Sequence, residues 1–245
     1  MCCRYVLLET HAKSLLDKLG VLLETGSAAL ASRYNIPPGA PIITVRNKTA
    51  AAPATSTAAA SPPARELTAL HWGLTPGWAR SANAPVTNAR AETLADKPTF
   101  RDAARFRRCL IPASGFYEWK RHGHAREPWL FRLRDEQPFA LAGIWETWRA
   151  PDGTAHESCA VVTTAPNSLM EPIHHRMPAI LASPADWNLW LDPRIDSTDT
   201  LTPLLAPFPA TAMTAFAVTP RVNSTRAEGP ACLAPATELQ LGLFS

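Results

Sequence analysis

Position 2 is a cysteine, and its chemistry changes if Met1 is removed, as is usual before a small second residue. The chain would then begin with a free α-amine two carbons from a thiol. An α-amine has a pKa of roughly 7.7–8.0, so part of it is neutral and nucleophilic near pH 7. Such an amine condenses with an aldehyde to an imine. The thiol then closes on the same carbon, giving a five-membered thiazolidine. A lysine imine has no second nucleophile and stays open to hydrolysis or elimination. Taken alone, Cys2 is also readable as a merely tolerated small residue.

Other residues could share a site with it. Gly115-Phe116-Tyr117-Glu118-Trp119-Lys120 sets one carboxylate among aromatic rings. Burial there would raise the Glu118 pKa toward neutrality and suit it to proton transfer. Ile173-His174-His175-Arg176-Met177-Pro178 offers an imidazole for acid–base work near pH 7. Adjacent histidines in an extended turn point opposite ways, so one should face a given site. Asn88 and Arg90 lie two apart, on one side of an extended chain. An amide beside a guanidinium suits a phosphate or a sugar. Trp72 and Trp78 flank a Gly/Pro-shaped loop, and an exposed tryptophan there could stack on bases. Core packing is the alternative for at least one of them.

The elements that must hold these groups are short. Leu15, Leu16, Leu19, Leu22 and Leu23 predict a helix over Ala12–Glu24. Arg33-Tyr34-Asn35-Ile36-Pro37-Pro38-Gly39 makes a stiff turn ahead of a strand at Ile42–Arg46. Residues Lys48 to Arg65 are nearly all Ala, Pro, Ser and Thr, a low-complexity loop joining that strand to another at Leu67–Trp72. A short helix is expected over Pro98–Arg108, with Arg101, Arg105 and Arg108 on one face. β-like runs follow at Cys109–Pro112, Trp129–Arg134, Phe139–Trp148 and Ser158–Thr164. Ser183-Pro184-Ala185-Asp186 is a capping box that opens a helix carrying Trp187, Trp190 and Leu191. A last strand is expected at Met213–Val218. The sum is one α+β domain over 1–245, with a mostly antiparallel sheet and short peripheral helices.

Composition excludes other classes. The 245 residues, 46% hydrophobic and 18% charged, fit a globular protein. A net charge of +3 is too small for a strongly basic nucleic-acid domain, so any basic surface is local. The five cysteines, at positions 2, 3, 109, 159 and 232, are odd in number and lack CxxC or Cys/His spacing. That disfavours a secreted disulfide scaffold and a zinc site, and points to the reducing cytosol. No apolar run reaches 18 residues, and the start lacks the pattern of a signal peptide or lipoprotein leader. No metal, cofactor or membrane is implied.

Six motifs occur in order: Met-Cys at the start, Tyr34–Gly39, Trp72-Gly73, Asn88-Ala89-Arg90-Ala91-Glu92-Thr93, Gly115–Trp119 and Ile173–Pro178. Each is weak alone; together they resemble the SOS response-associated peptidase (SRAP) family. The resemblance implies a mostly-β α+β domain that shields abasic sites in single-stranded DNA, crosslinking through its N-terminal cysteine. It also implies autoproteolytic exposure of that cysteine. Carried over by motif, Cys2 is the nucleophile and Glu118 positions the amine and moves its proton. His174 assists sugar ring opening, Asn88 holds the abasic residue, and Arg90 holds a flanking phosphate. Arg4, Pro38, Trp72 and Gly73 would line the strand's path. Two positions depart from the family pattern: Cys3 stands where glycine is usual, and Pro37 where alanine is usual.

Two other functions remain open on sequence. A thiol peptidase acting on other proteins would use Cys2 with His174 as base. A non-catalytic single-strand binder would use the arginine face and the tryptophans. A monomer is expected in each case.

Overall fold

The computed structural model describes residues 4–22, 30–48 and 63–237. Cys2 and Cys3, the end of the expected first helix at 23–24, and residues 49–62 of the low-complexity segment lie outside the described residues. The fold is α+β, with thirteen strands in two mostly antiparallel sheets among the described residues.

The smaller sheet runs β13-β8-β7-β1-β2. Its strands are β1 (Tyr5–Leu7), β2 (Arg33–Ile36), β7 (Gly115–His122), β8 (Ala125–Leu133) and β13 (Met213–Ala217). The larger sheet contains β3 (Pro41–Asn47), β4 (Arg65–Trp72), β5 (Asn88–Arg90), β6 (Arg108–Ala113), β9 (Phe139–Arg149) and β10 (Ala155–Thr164). Two short strands, β11 (Met177–Pro178) and β12 (Ile180–Leu181), complete it. The path β10-β4-β3-β6-β9 returns to β10, because β9 and β10 pair over Ala155↔Arg149 to Val161↔Gly143. Five strands therefore close into a ring, which removes exposed edges. The parallel pairs are β10 with β4 and β10 with β5.

Alternation along the small sheet divides two cores. Tyr5, Phe116 and Phe131 face the main core shared with the ring. Val6, Tyr117 and Leu130 face the other way, into a second cluster closed by Val218, Val222 and Cys232 of the C-terminal segment.

Helix α1 spans Glu9–Leu19 and buries Ala12, Leu15, Leu16 and Leu19. It starts and stops before the expected Ala12–Glu24. Gly20, at φ 67°, takes the left-handed cap and its N–H returns to Leu16 and Asp17 carbonyls, so Leu22 is left exposed. Helix α2 spans Arg101–Phe106, also shorter than expected. Arg108 belongs to β6 and is buried, so it does not share a face with exposed Arg101 and Arg105. Helix α3 (Pro184–Leu191) has the expected capping box, with Ser183 and Asp186 satisfying each other's backbone.

Candidate active site

Glu118 is placed by β7. Gly115, at the start of that strand, lets β8 approach closely, since a Cβ there would sit 2.9 Å from the Phe131 carbonyl oxygen. The register then sets Glu118 opposite Trp129 and on the same face as Phe116, toward the main core. The residue is 2% exposed, and burial raises its carboxyl pKa to about 7. Near neutral pH the group is therefore divided between acid and base, as proton transfer requires.

His174 follows a tight turn in which the Ile173 and His174 amides both donate to the Met170 carbonyl. Its Nδ1 lies 3.1 Å from both the Arg176 amide nitrogen and the Arg176 carbonyl oxygen. Burial lowers its pKa to about 4, so the imidazole is neutral near pH 7. Nδ1 is 4.0 Å from Glu118 Oε1, too long for a hydrogen bond. With His174 neutral this is a carboxyl–imidazole contact and not an ion pair. The two adjacent histidines do not diverge as expected: their rings stack at 4.4 Å, because the segment turns and strand alternation does not apply.

The Asn88 strand joins this pair through Arg176. That guanidinium grips both oxygens of Glu92 at 2.6 and 2.8 Å and donates to the Thr163 carbonyl at 2.6 Å. Thr163 stands opposite Arg90 in the β10–β5 pair. Arg90 is exposed, and Asn88 is buried. The Asn88 amide donates to Thr87 Oγ1 at 2.9 Å, while Oδ1 has no partner among the described residues. Glu92 and Arg176 were not singled out on sequence, although both lie inside motifs that were; their opposite charges are the usable signal.

Two expected strand-lining residues are structural instead. Trp72 is fully buried; its indole N–H donates to the Thr87 carbonyl at 2.9 Å and its ring meets Tyr5 edge-on at 5.6 Å. It links the Asn88 strand to β1 and cannot offer a face to a ligand. Arg4 is 7% exposed and donates to Asn35 Oδ1 at 2.7 Å and the Val222 carbonyl at 2.9 Å. It braces the protein and is not an exposed phosphate ligand. Pro38 and Gly73 are brought together: the Pro38 turn pairs with Trp72 through Gly39 N–H to Trp72 O and Trp72 N–H to Ala40 O. Gly73, at φ 148°, would put a Cβ 3.1 Å from Pro85 Cβ. Trp78 is 68% exposed on the loop beyond it. That loop is pinned by mutual Leu74–Val86 hydrogen bonds and by the Trp148 indole donating to the Ala79 carbonyl.

The first strand runs into this cluster. Tyr5 lies opposite Phe116, and the Tyr117 amide donates to the Arg4 carbonyl. Its N-terminal end therefore points along β7 in the direction of Glu118. A model of the family described as SOS response associated peptidase (SRAP) matches residues 1–225. The chain belongs to this family. Among SRAP relatives, Abasic site processing protein YoqW of Bacillus subtilis is 38% identical over 200 residues, covering 80% of this chain and 83% of that one. Abasic site processing protein HMCES of Mus musculus is 29% identical, over 70% of this chain and 57% of its own length. A crystal structure of a protein from Bacteroides thetaiotaomicron superposes with a TM-score of 0.80 at 26% identity, covering 96% of this chain and all of that one.

Proposed function

We propose that this SRAP protein captures abasic sites in single-stranded DNA as a covalent adduct at Cys2, once Met1 is removed. The observation that carries the reading is the buried Glu118 carboxyl, with a pKa of about 7, beside the neutral His174 imidazole at the end toward which β1 leads. Relatives named abasic site processing proteins support the substrate class. The three described cysteines support the choice of nucleophile by contrast: all are buried, and burial raises their thiols, that of Cys109 to about 12.

The chemistry balances with loss of one water. An abasic sugar opens when its ring oxygen takes a proton, freeing the C1 aldehyde. The Cys2 amine attacks that carbon, and the carbinol oxygen leaves as water, giving an iminium. The Cys2 thiol then loses its proton as its sulfur adds to the same carbon, and the C=N electron pair returns to the nitrogen, which becomes a neutral N–H. One C–N and one C–S bond have formed, closing the thiazolidine. Glu118 takes the proton from the attacking amine and returns it to departing water. His174 serves the sugar oxygen, and Asn88 Oδ1, buried and without a partner among the described residues, would accept from a sugar hydroxyl. Arg90 and the Pro38–Gly73 ridge line the strand.

Incubation of the protein with single-stranded DNA bearing one abasic site should give a denaturation-resistant band, with a mass equal to protein without Met1 plus DNA minus one water. Cys2→Ala should give none. An adduct that persists in Cys2→Ala overturns the reading. Trp78 should act through stacking alone: Trp78→Ala is expected to weaken DNA binding about 5–150-fold, from ~1–3 kcal/mol per stacked base. The adduct rate at saturating DNA should stay unchanged, which titration and time courses would separate.

A further inference from the structure

We propose that Asn35 is a positioning residue for the reactive N-terminus, acting through Arg4; this rests on the reaction proposed above. Asn35 is 1% exposed on β2. Its Oδ1 accepts from Arg4 at 2.7 Å, and its Nδ2 donates to the Ser224 and Ala227 carbonyls, both at 2.9 Å, and to Val222 at 3.4 Å. The reverse amide orientation would set donors against a guanidinium and an oxygen against carbonyls, so the network defines it. One side chain thus joins the start of the chain to residues 222–227 near its end.

The C-terminal segment is fastened at further points. The Trp119 indole donates to Asn223 Oδ1 at 2.7 Å, and its ring lies 5.4 Å from the Arg4 guanidinium carbon. The Tyr34 amide donates to Glu228 at 2.9 Å, and the Tyr117 hydroxyl donates to the Tyr34 carbonyl at 2.8 Å. Arg4 is therefore held on one side by Asn35, from behind by Val222 and against the Trp119 ring.

Such holding matters because β1 is weak on its own. It is three residues long, and only Tyr5 and Val6 pair with β7. Arg4 stands two positions after Cys2, with one residue between them, a span of at most ~7 Å. A shift at Arg4 therefore passes to the nucleophile with little damping. Misplacement by ~1 Å costs about 100-fold in rate when geometry is the source of catalysis.

The test compares Asn35→Ala with wild type in single-turnover adduct formation at saturating abasic single-stranded DNA. The rate should fall about 10–100-fold, with the DNA dissociation constant within about threefold of wild type. Asn35→Asp keeps an acceptor for Arg4 but sets an oxygen against the carbonyls of residues 222–227, so it should lose less rate than Asn35→Ala without reaching wild type. The double variant with Arg4→Ala should be no slower than Arg4→Ala alone, because both act through one contact. Amide hydrogen exchange at Tyr5–Leu7 should rise at least about tenfold in Asn35→Ala while β3 is unchanged. Equal losses in the Ala and Asp variants, or additive losses in the double variant, would overturn the role. If wild type forms no adduct, the proposed reaction fails, and unchanged exchange at Tyr5–Leu7 then overturns the positioning role separately.

Discussion

Glu118→Gln is expected to slow adduct formation about 10²–10⁴-fold, the usual worth of a positioned acid–base group, while making the protein more stable at alkaline pH. Glutamine keeps the shape and loses the proton transfer. In wild type the rate should climb as pH rises through about 7, where the Glu118 carboxyl ionises and becomes a base. The variant should lack that inflection and keep only the rise from the reacting amine, at roughly 7.7–8.0. His174, at about 4, stays neutral throughout this range and contributes none. The stability effect has the opposite sign. Burial raises the folded-state pKa from 4.5 to about 7, so the folded state favours the proton. That advantage is full below the unfolded value and is lost as pH rises through about 7. At pH 8 a buried carboxylate is left, at a cost on the order of 3 kcal/mol. The amide of the variant would carry no such charge. Thermal unfolding should show the variant above wild type at pH 8 and level with it near pH 5. A variant with the wild-type rate would remove Glu118 from the mechanism.

Arg108→Ala should destabilise the fold by about 3–5 kcal/mol without altering DNA affinity per folded molecule. The guanidinium is buried and donates to five carbonyls, those of Ala104, Arg105, Trp190, Asp192 and Ile195. Those carbonyls lie in the last turns of α2 and α3 and just beyond α3, so one side chain closes two helix termini onto β6. Burial lowers its pKa to about 10, and it stays charged at neutral pH. Truncation leaves the carbonyls unsatisfied and opens a cavity. Urea unfolding would give the loss; a midpoint unchanged from wild type would contradict it. Arg101→Ala, on the exposed surface, should shift it by less than about 0.5 kcal/mol.

The contrast between Arg101 and Arg108 shows what sequence spacing misses. Positions i, i+4 and i+7 share a face only while the helix lasts, and α2 stops at Phe106. Nothing local marks that stop, because it comes from β6 joining the closed ring. The start of α1 was hidden for a similar reason. Leu8 offers no capping side chain; the Leu8 and Glu9 amides are met by Ser114 and Ser32 from distant segments. By contrast the α3 cap was readable, since Ser183 and Asp186 are neighbours in sequence. At the site, residue types identified Glu118, His174 and Asn88 as chemical candidates. They could not separate Trp72 as a buried brace from Trp78 as an exposed ring. That difference is set by tertiary burial, as is the tie from Arg4 to the far end of the chain.

The closed β3–β4 hairpin has a practical consequence. The two strands pair down to Asn47↔Arg65, and the Lys48 amide then donates to the Ala64 carbonyl at 2.8 Å. The ends of the segment between them are thus clamped side by side, whatever its length. Loop-closure entropy grows only with the logarithm of length, about 0.6 kcal/mol per doubling. A fusion at the amino terminus would bury the very amine the proposed reaction needs. An epitope or fluorophore spliced into this hairpin would leave that amine untouched, making it the natural handle for purification and imaging.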